Sequence, residues 1–308
     1  MLRLLSCVVI ASVAASAEAQ VSLNYSPAVT EGTKIRTEME VENTQTMTIA
    51  GMALETQANN FATIVTTIDK PTDSGGYTST GGYEVLQADL SLPGGFKVQF
   101  NSNNPGEAPA NPQVAMIHGM LKAMAPAKWS LEMGADHKVL KAEFIDGPIK
   151  GVSDIFKHDL DPERIKERGN NEVFIYATEP VKPGESWTRV EKLDLGSGQS
   201  FELEREYTYV GPEEKAGRKL EKVTVAVKSV DLQVADNPAL PAKVSESELK
   251  VESSEGTLWY DPEQKLYVDT DQTFRVKGSI TLTINGMDLP GELDLTMKAK
   301  SKSSVTAP

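Results

Sequence analysis

The side chains best suited to chemistry in this sequence are few and scattered. His118, His137 and His158 are its three histidines. No two of them form an H-x-H or H-x-x-x-H pair, so the spacing that brings two imidazoles to one zinc ion is absent. His118 falls inside a methionine-rich stretch, His137 in the turn-like Ala135-Asp136-His137-Lys138, and His158 just before Asp159 and Asp161. Each reads as a surface or packing residue. The single cysteine, Cys7, stands in an apolar leader. No G-x-S-x-G elbow occurs, and Gly196-Ser197-Gly198 reads as a hairpin turn. Nucleophilic catalysis has little to build on. Asp and Glu number 44, so general acid–base chemistry stays open, but no two of them are singled out by spacing. Asp269 and Asp271 form a D-x-D that could assist calcium; the plainer reading is a solvated strand face. The glycine-rich run Gly75 to Gly82 lacks the lysine and following helix of a phosphate loop and reads as turn chemistry. The sequence therefore predicts no catalytic residue, no metal site and no cofactor.

Apolar recognition has one candidate. Asn111-Pro112 is a helix cap followed by proline at the first helical position. Val114, Ile117, Met120, Leu121 and Met124 follow at helical spacing, and Pro126 stops the run. Met116, Met120 and Met124 make this helix deformable. Ile117, Met120 and Met124 are accordingly the candidate ligand residues, forming an apolar gate over a cavity. The competing reading is a core helix packed on a sheet. Val152, Ile155 and Phe156 suggest a short second helix. Asp161-Pro162-Glu163 opens a further one, with a cap, a proline and an acidic first turn, and Gly169 is read as its end.

The elements that must position these residues are mostly strands. Val223, Val225 and Val227 share one face; Val230, Leu232 and Val234 continue in the opposite parity, which predicts a β-bulge near Lys228-Ser229. Asn285-Gly286 predicts a tight hairpin turn and Asp261-Pro262 another turn. About a dozen strands at this spacing predict a mainly β fold, an antiparallel sandwich or barrel-like sheet with a short helical segment in the middle. Sliding the chain by 235 residues aligns T-I-A-G-M-A-L at Thr48 with T-I-N-G-M-D-L at Thr283. This reads either as two related β modules or as the ordinary similarity of amphipathic hairpins. The expected organisation is a leader at 1–19, a first β module at 20–110, a helical segment with a hairpin at 111–169, a second β module at 170–300 and a polar tail at 301–308.

Arg3, the apolar run from Leu4 to Ala15 and the Ala17-Glu18-Ala19 site read as a secretory signal peptide. Its removal takes away one positive charge, one negative charge and the only thiol. The chain's net charge of −13 excludes nucleic acid as a natural partner. A large exported chain without disulfides points to a bacterial periplasm or exterior, and no later apolar run is long enough for a helical membrane anchor.

Three segments carry a resemblance. They are Pro180-Val181-Lys182-Pro183-Gly184-Glu185-Ser186-Trp187, Gly217-Arg218-Lys219-Leu220-Glu221-Lys222 and Gly256-Thr257-Leu258-Trp259-Tyr260-Asp261. In this order after a signal peptide, they resemble a family of exported bacterial β-rich proteins of unknown function. The resemblance implies an envelope or secreted location and brings no activity, cofactor or site residue. The expected function is a non-enzymatic binding or structural protein with an envelope partner. The alternatives are a carrier of lipid or other hydrophobic ligand under the Met-rich helix, and a hydrolase relying on carboxylates.

Overall fold

A computed structural model describes residues 20–146, 161–196, 199–234, 242–284 and 286–308. The leader with Cys7, the helix expected around residues 152–156, His158, and the turn residues Ser197, Gly198 and Asn285 lie outside them. The elements in chain order are β1 (Lys34–Ile49), β2 (Met52–Pro71), β3 (Tyr77–Leu92), β4 (Phe96–Asn101), α1 (Pro112–Met124), β5 (Lys128–Met133), β6 (Val139–Asp146), α2 (Pro162–Phe174), β7 (Ser186–Gly196), β8 (Gln199–Lys215), β9 (Arg218–Val234), β10 (Ala242–Asp261), β11 (Leu266–Ile284) and β12 (Met287–Thr306). The fold is mainly β, 66% strand and 11% helix.

All twelve strands belong to one antiparallel sheet, not to two packed sheets or a closed barrel. The order is β6-β5-β3-β2-β1-β12-β11-β10-β9-β8-β7, with β4 on β3. Neighbours in space are mostly neighbours in sequence. Apart from β3 with β5, which skips β4, the exception lies at the centre, where β1 pairs with β12 from Lys34 opposite Thr306 to Ile49 opposite Gly291. The segment expected to be a polar tail is thus largely strand. The 235-residue offset carries Ile49 onto Ile284 and Met52 onto Met287, so it relates the turn of the β1–β2 hairpin to that of the β11–β12 hairpin, which lies beside it.

Local sequence explains many of the details. Val227 faces Arg205 and Ser229 faces Glu204, leaving Lys228 as the extra residue of the expected bulge. Asp261 Oδ1 accepts from the backbone N–H groups of Glu263 (2.8 Å) and Gln264 (3.2 Å), fixing the turn before β11. Asn111 caps α1 by accepting from Gln113 N–H (2.9 Å) and Val114 N–H (3.2 Å).

Three glycines behave differently from expectation. Gly81 and Gly82 lie inside β3 rather than in a turn. A Cβ at Gly81 would stand 2.3 Å from Trp129 Nε1 on β5, so the indole occupies the space a side chain would need. Gly169 does not end α2, which runs on to Phe174. Its missing side chain lets the helix approach β6, since a Cβ there would meet Val139 Cγ2 at 2.7 Å.

The sheet curls. Residues of β7 and β8, at one end of the strand order, border the same cavity as Met39 of β1, several strands away. Apolar side chains fill the inner face near the β1–β2 and β11–β12 turns, among them Phe201, Leu203, Phe274, Val276 and Leu295. At the other end, Leu23 and the 175–181 segment pack over Tyr207, Val223 and Leu258.

Candidate functional site

α2 stands where the two free edges of the curled sheet approach one another. Asn170 behaves like a piece of strand toward β6: its Oδ1 accepts from Val139 N–H (2.7 Å) and its Nδ2 donates to Val139 O (3.2 Å). The next residue turns to the opposite edge, where Asn171 Nδ2 donates to Lys192 O on β7 (3.0 Å). Two neighbouring asparagines therefore occupy backbone groups on both sheet edges, which otherwise present unpaired donors and acceptors. The end of the helix is held from β7. Arg189 Nε donates to Phe174 O and its Nη2 to Tyr176 O, both at 2.8 Å, placing a cation at the negative end of the helix dipole. Trp187 Nε1 donates to Ile175 O at 2.9 Å while its ring stacks on Tyr207.

A cavity lies on each side of α2. The first, about 250 Å³, faces β1, β2, β3 and β5 and is walled by Ile35, Met39, Ile64, Leu131 and Met133, with Tyr25, Tyr176 and Tyr267 around it. The second, about 340 Å³, faces β7, β8, β11 and β12 and combines Leu193, Phe274 and Met297 with Arg168, Lys192 and Arg205. Met39, Glu172 and Ile175 border both. Ligand pockets typically span about 300–1,000 Å³ and are mostly apolar with a few placed polar groups; the second cavity falls within that range and the first just below it.

The polar groups are not fully satisfied. Glu172 projects into the open space of both cavities and has no hydrogen-bond or ion-pair partner among the described residues. Removal from bulk water raises its pKa above the ordinary 4.5. Tyr267 donates its backbone N–H to Tyr176 Oη (2.9 Å), but its own buried hydroxyl has no partner among the described residues. Burial pushes the Tyr77 phenol up to about 12. In the second cavity Arg205 is only 12% exposed. Its Nη1 donates to Gln272 Oε1 (2.8 Å) and lies 3.4 Å from Glu191 Oε2, while its buried Nε–H has no acceptor among the described residues. Glu191 also accepts from the Tyr207 hydroxyl. Burial raises the Glu191 pKa even though the Arg205 charge opposes the shift.

The structure places the candidate gate elsewhere. Ile117, Met120 and Met124 of α1 are partly buried against the cluster of Leu86, Val98 and Phe100 on β3 and β4, and none of them borders the two cavities at α2. His118 is buried among the same side chains, donating through Nε2 to Pro105 O at 2.6 Å and meeting the Phe100 ring edge-on. His137 sits in the expected turn, its Nδ1 3.3 Å from the Tyr77 hydroxyl, and burial lowers its pKa. Asp269 pairs with Lys215 (2.8 Å) and Asp271 lies 3.9 Å from Lys300, so the D-x-D is an ion-paired face. Among the described residues no group of three or more His, Cys, Asp or Glu could hold a metal ion.

Sequence reasoning passed over the cavity residues, although a signal was present. In β8 the inward parity reads Phe201, Leu203, Arg205, Tyr207, Tyr209, an arginine in an otherwise apolar row. In α2 the run Gly169-Asn170-Asn171 consists of poor helix formers, which marks a role in tertiary contacts rather than in helix stability.

No family model and no curated protein matches the chain. Among solved structures it is similar to lipovitellin, with 8% identity over 91% of this chain and 26% of that one and a TM-score of 0.44. The chain thus spans about a quarter of the lipovitellin chain. It is also similar to an outer membrane channel from Pseudomonas putida F1 (8% identity, 90% and 97% of the two chains, TM-score 0.25). A third is a DUF1329 family protein from Desulfovibrio piger (10% identity, 84% and 83%, TM-score 0.14). At these values the likeness carries no statement about function. No helix among the described residues is long and apolar enough to cross a membrane.

Proposed function

We propose that this chain is an exported carrier that holds a hydrophobic ligand inside its curled sheet, at α2. The observation that carries the reading is the pair of mainly apolar cavities flanking a helix that bridges the sheet's two free edges through side-chain hydrogen bonds. A sheet closed by strand pairing would have to break a ladder to admit a ligand. One closed by a helix needs to release only a few side-chain bonds. The sequence suggested the same class of function under α1. The geometry favours α2, because α1 packs against β3 and β4 as a core helix does.

The test is native mass spectrometry of protein secreted by a bacterial host and purified without detergent, followed by titration of the delipidated chain with N-phenyl-1-naphthylamine. A carrier retains lipid-sized adducts and enhances the probe's fluorescence, and dodecanol displaces the probe. A purely apo mass together with no enhancement would reject the reading.

A further inference from the structure

We propose that the cavity between α2 and strands β7 and β8 binds the anionic head, a carboxylate or a phosphate, of a single-chain amphiphile, and that Arg205 pairs with it. The inference rests on the carrier reading and adds the chemistry of the ligand's polar end.

The charge distribution is the first argument. The chain carries a net charge of −13, yet this cavity is bordered by three cations, Arg168, Lys192 and Arg205, against two carboxyls, Glu172 and Glu191. The cations outnumber the carboxyls on this wall although the chain as a whole is acidic, and Arg205 is the one whose buried donor is still open among the described residues.

The second argument is hydrogen-bond supply. A guanidinium offers five donors and accepts nothing. Arg205 shows one good acceptor, Gln272 Oε1, and one longer contact, Glu191 Oε2, whose carboxylate is shared with Tyr207. Its Nε–H is buried and unmet, in a class of atoms that almost always finds a partner. A carboxylate or phosphate supplies two acceptor oxygens in the spacing of the guanidinium fork.

The third argument is continuity. Met39, Glu172 and Ile175 border both cavities. A chain attached to a head at Arg205 can therefore continue past α2 toward Ile35, Ile64 and Met133. Glu172 stands at that boundary, where loss of hydration raises its pKa and so weakens its repulsion of an anion.

The experiment is calorimetric titration of the delipidated full chain with dodecanoate, dodecyl phosphate, dodecanol and dodecyltrimethylammonium, each below its micelle concentration. Both anions are expected to bind at least about tenfold more tightly than dodecanol, and the cation most weakly. The order of the two anions tells a carboxylate ligand from a phosphate one. Replacing Arg205 alone strands Glu191, so the diagnostic variant is Arg205→Gln combined with Glu191→Gln. In it the ratio of anion to dodecanol affinity should fall to about one. Arg205→Lys keeps the charge beside Glu191 but loses the fork, and should reduce that ratio several-fold; it carries the test if the double variant does not fold. Equal wild-type affinity for dodecanol and the anions, or an unchanged ratio in the variants, overturns the head-group site and leaves the carrier reading standing. Binding of none of the four probes overturns both.

Discussion

Glu172 is a carboxyl that borders both cavities with no partner among the described residues, and its titration should be visible in stability. Its folded-state pKa lies above 4.5 through loss of hydration. The folded chain therefore holds this proton more tightly than the unfolded chain does. The associated stability is fully present below about pH 4.5 and is lost as pH rises through the folded-state pKa. Glu191 contributes in the same direction. Glu172→Gln, which cannot ionise, should raise the melting temperature at pH 8 and leave it nearly unchanged at pH 4. An equal effect at both pH values, measured by circular dichroism, would show that the carboxyl does not titrate in this way. At this scale the sequence was readable wherever a cause is local. The caps Asn111 and Asp161, the extra residue Lys228 and the turn at Asp261 all depend on neighbours within a few positions or on strand parity. Gly169 and Gly81 were misread because the atoms that require glycine there, Val139 Cγ2 and the Trp129 indole, come from distant parts of the sequence.

Among the elements, α2 is the one on which the site depends. Its polar attachment to β6 is two hydrogen bonds through a single asparagine, beside the packing of Ile165 on the cluster that contains Val139. Asn170→Ala leaves Val139 N–H without its acceptor and should destabilise the chain by about 1–3 kcal/mol. Faster amide exchange at Val139 than in the interior strands would locate the loss, and uniform acceleration across the sheet would contradict it. Gly169→Ala inserts a methyl group 2.7 Å from Val139 Cγ2 and should lower stability by about 1–3 kcal/mol in chemical denaturation, although alanine is the better helix former. If Gly169→Ala stabilises the chain, α2 does not sit closely on β6. α1 is a useful contrast. Its apolar stripe, its cap and its end were all legible, and the stripe packs on β3 and β4. What periodicity could not supply is which of two helices borders empty space, because a stripe looks the same over a packed sheet and over a cavity.

At the scale of the whole molecule, strand type and approximate number were legible, and the closure was not. Alternation specifies that each strand has one buried face. It does not say whether twelve such strands form two layers, a barrel or one curled sheet. The decision lies in long-range pairings, above all β1 with β12, for which the sequence offers only the offset similarity of the two hairpins. That pairing makes the final segment structural. Removing residues 301–308 takes away the partners of Lys34 to Met39 on β1, together with Ser301 and Ser303 on the wall of the first cavity. The truncated chain should melt several degrees lower and lose probe binding. Unchanged melting would mean that the end of β12 contributes little to the sheet.

The pairing of β1 with β12 also sets an order of events in time. A polypeptide emerges from a ribosome or a translocation pore with its N-terminus first. β1 appears well before β12, the strand that covers one of its edges. Until β12 has emerged, that edge has no native occupant and offers its hydrogen-bonding groups to any other extended chain. The protein should consequently need a chaperone that masks early β strands, and stalled, incomplete chains should be found in aggregates or among proteolytic fragments.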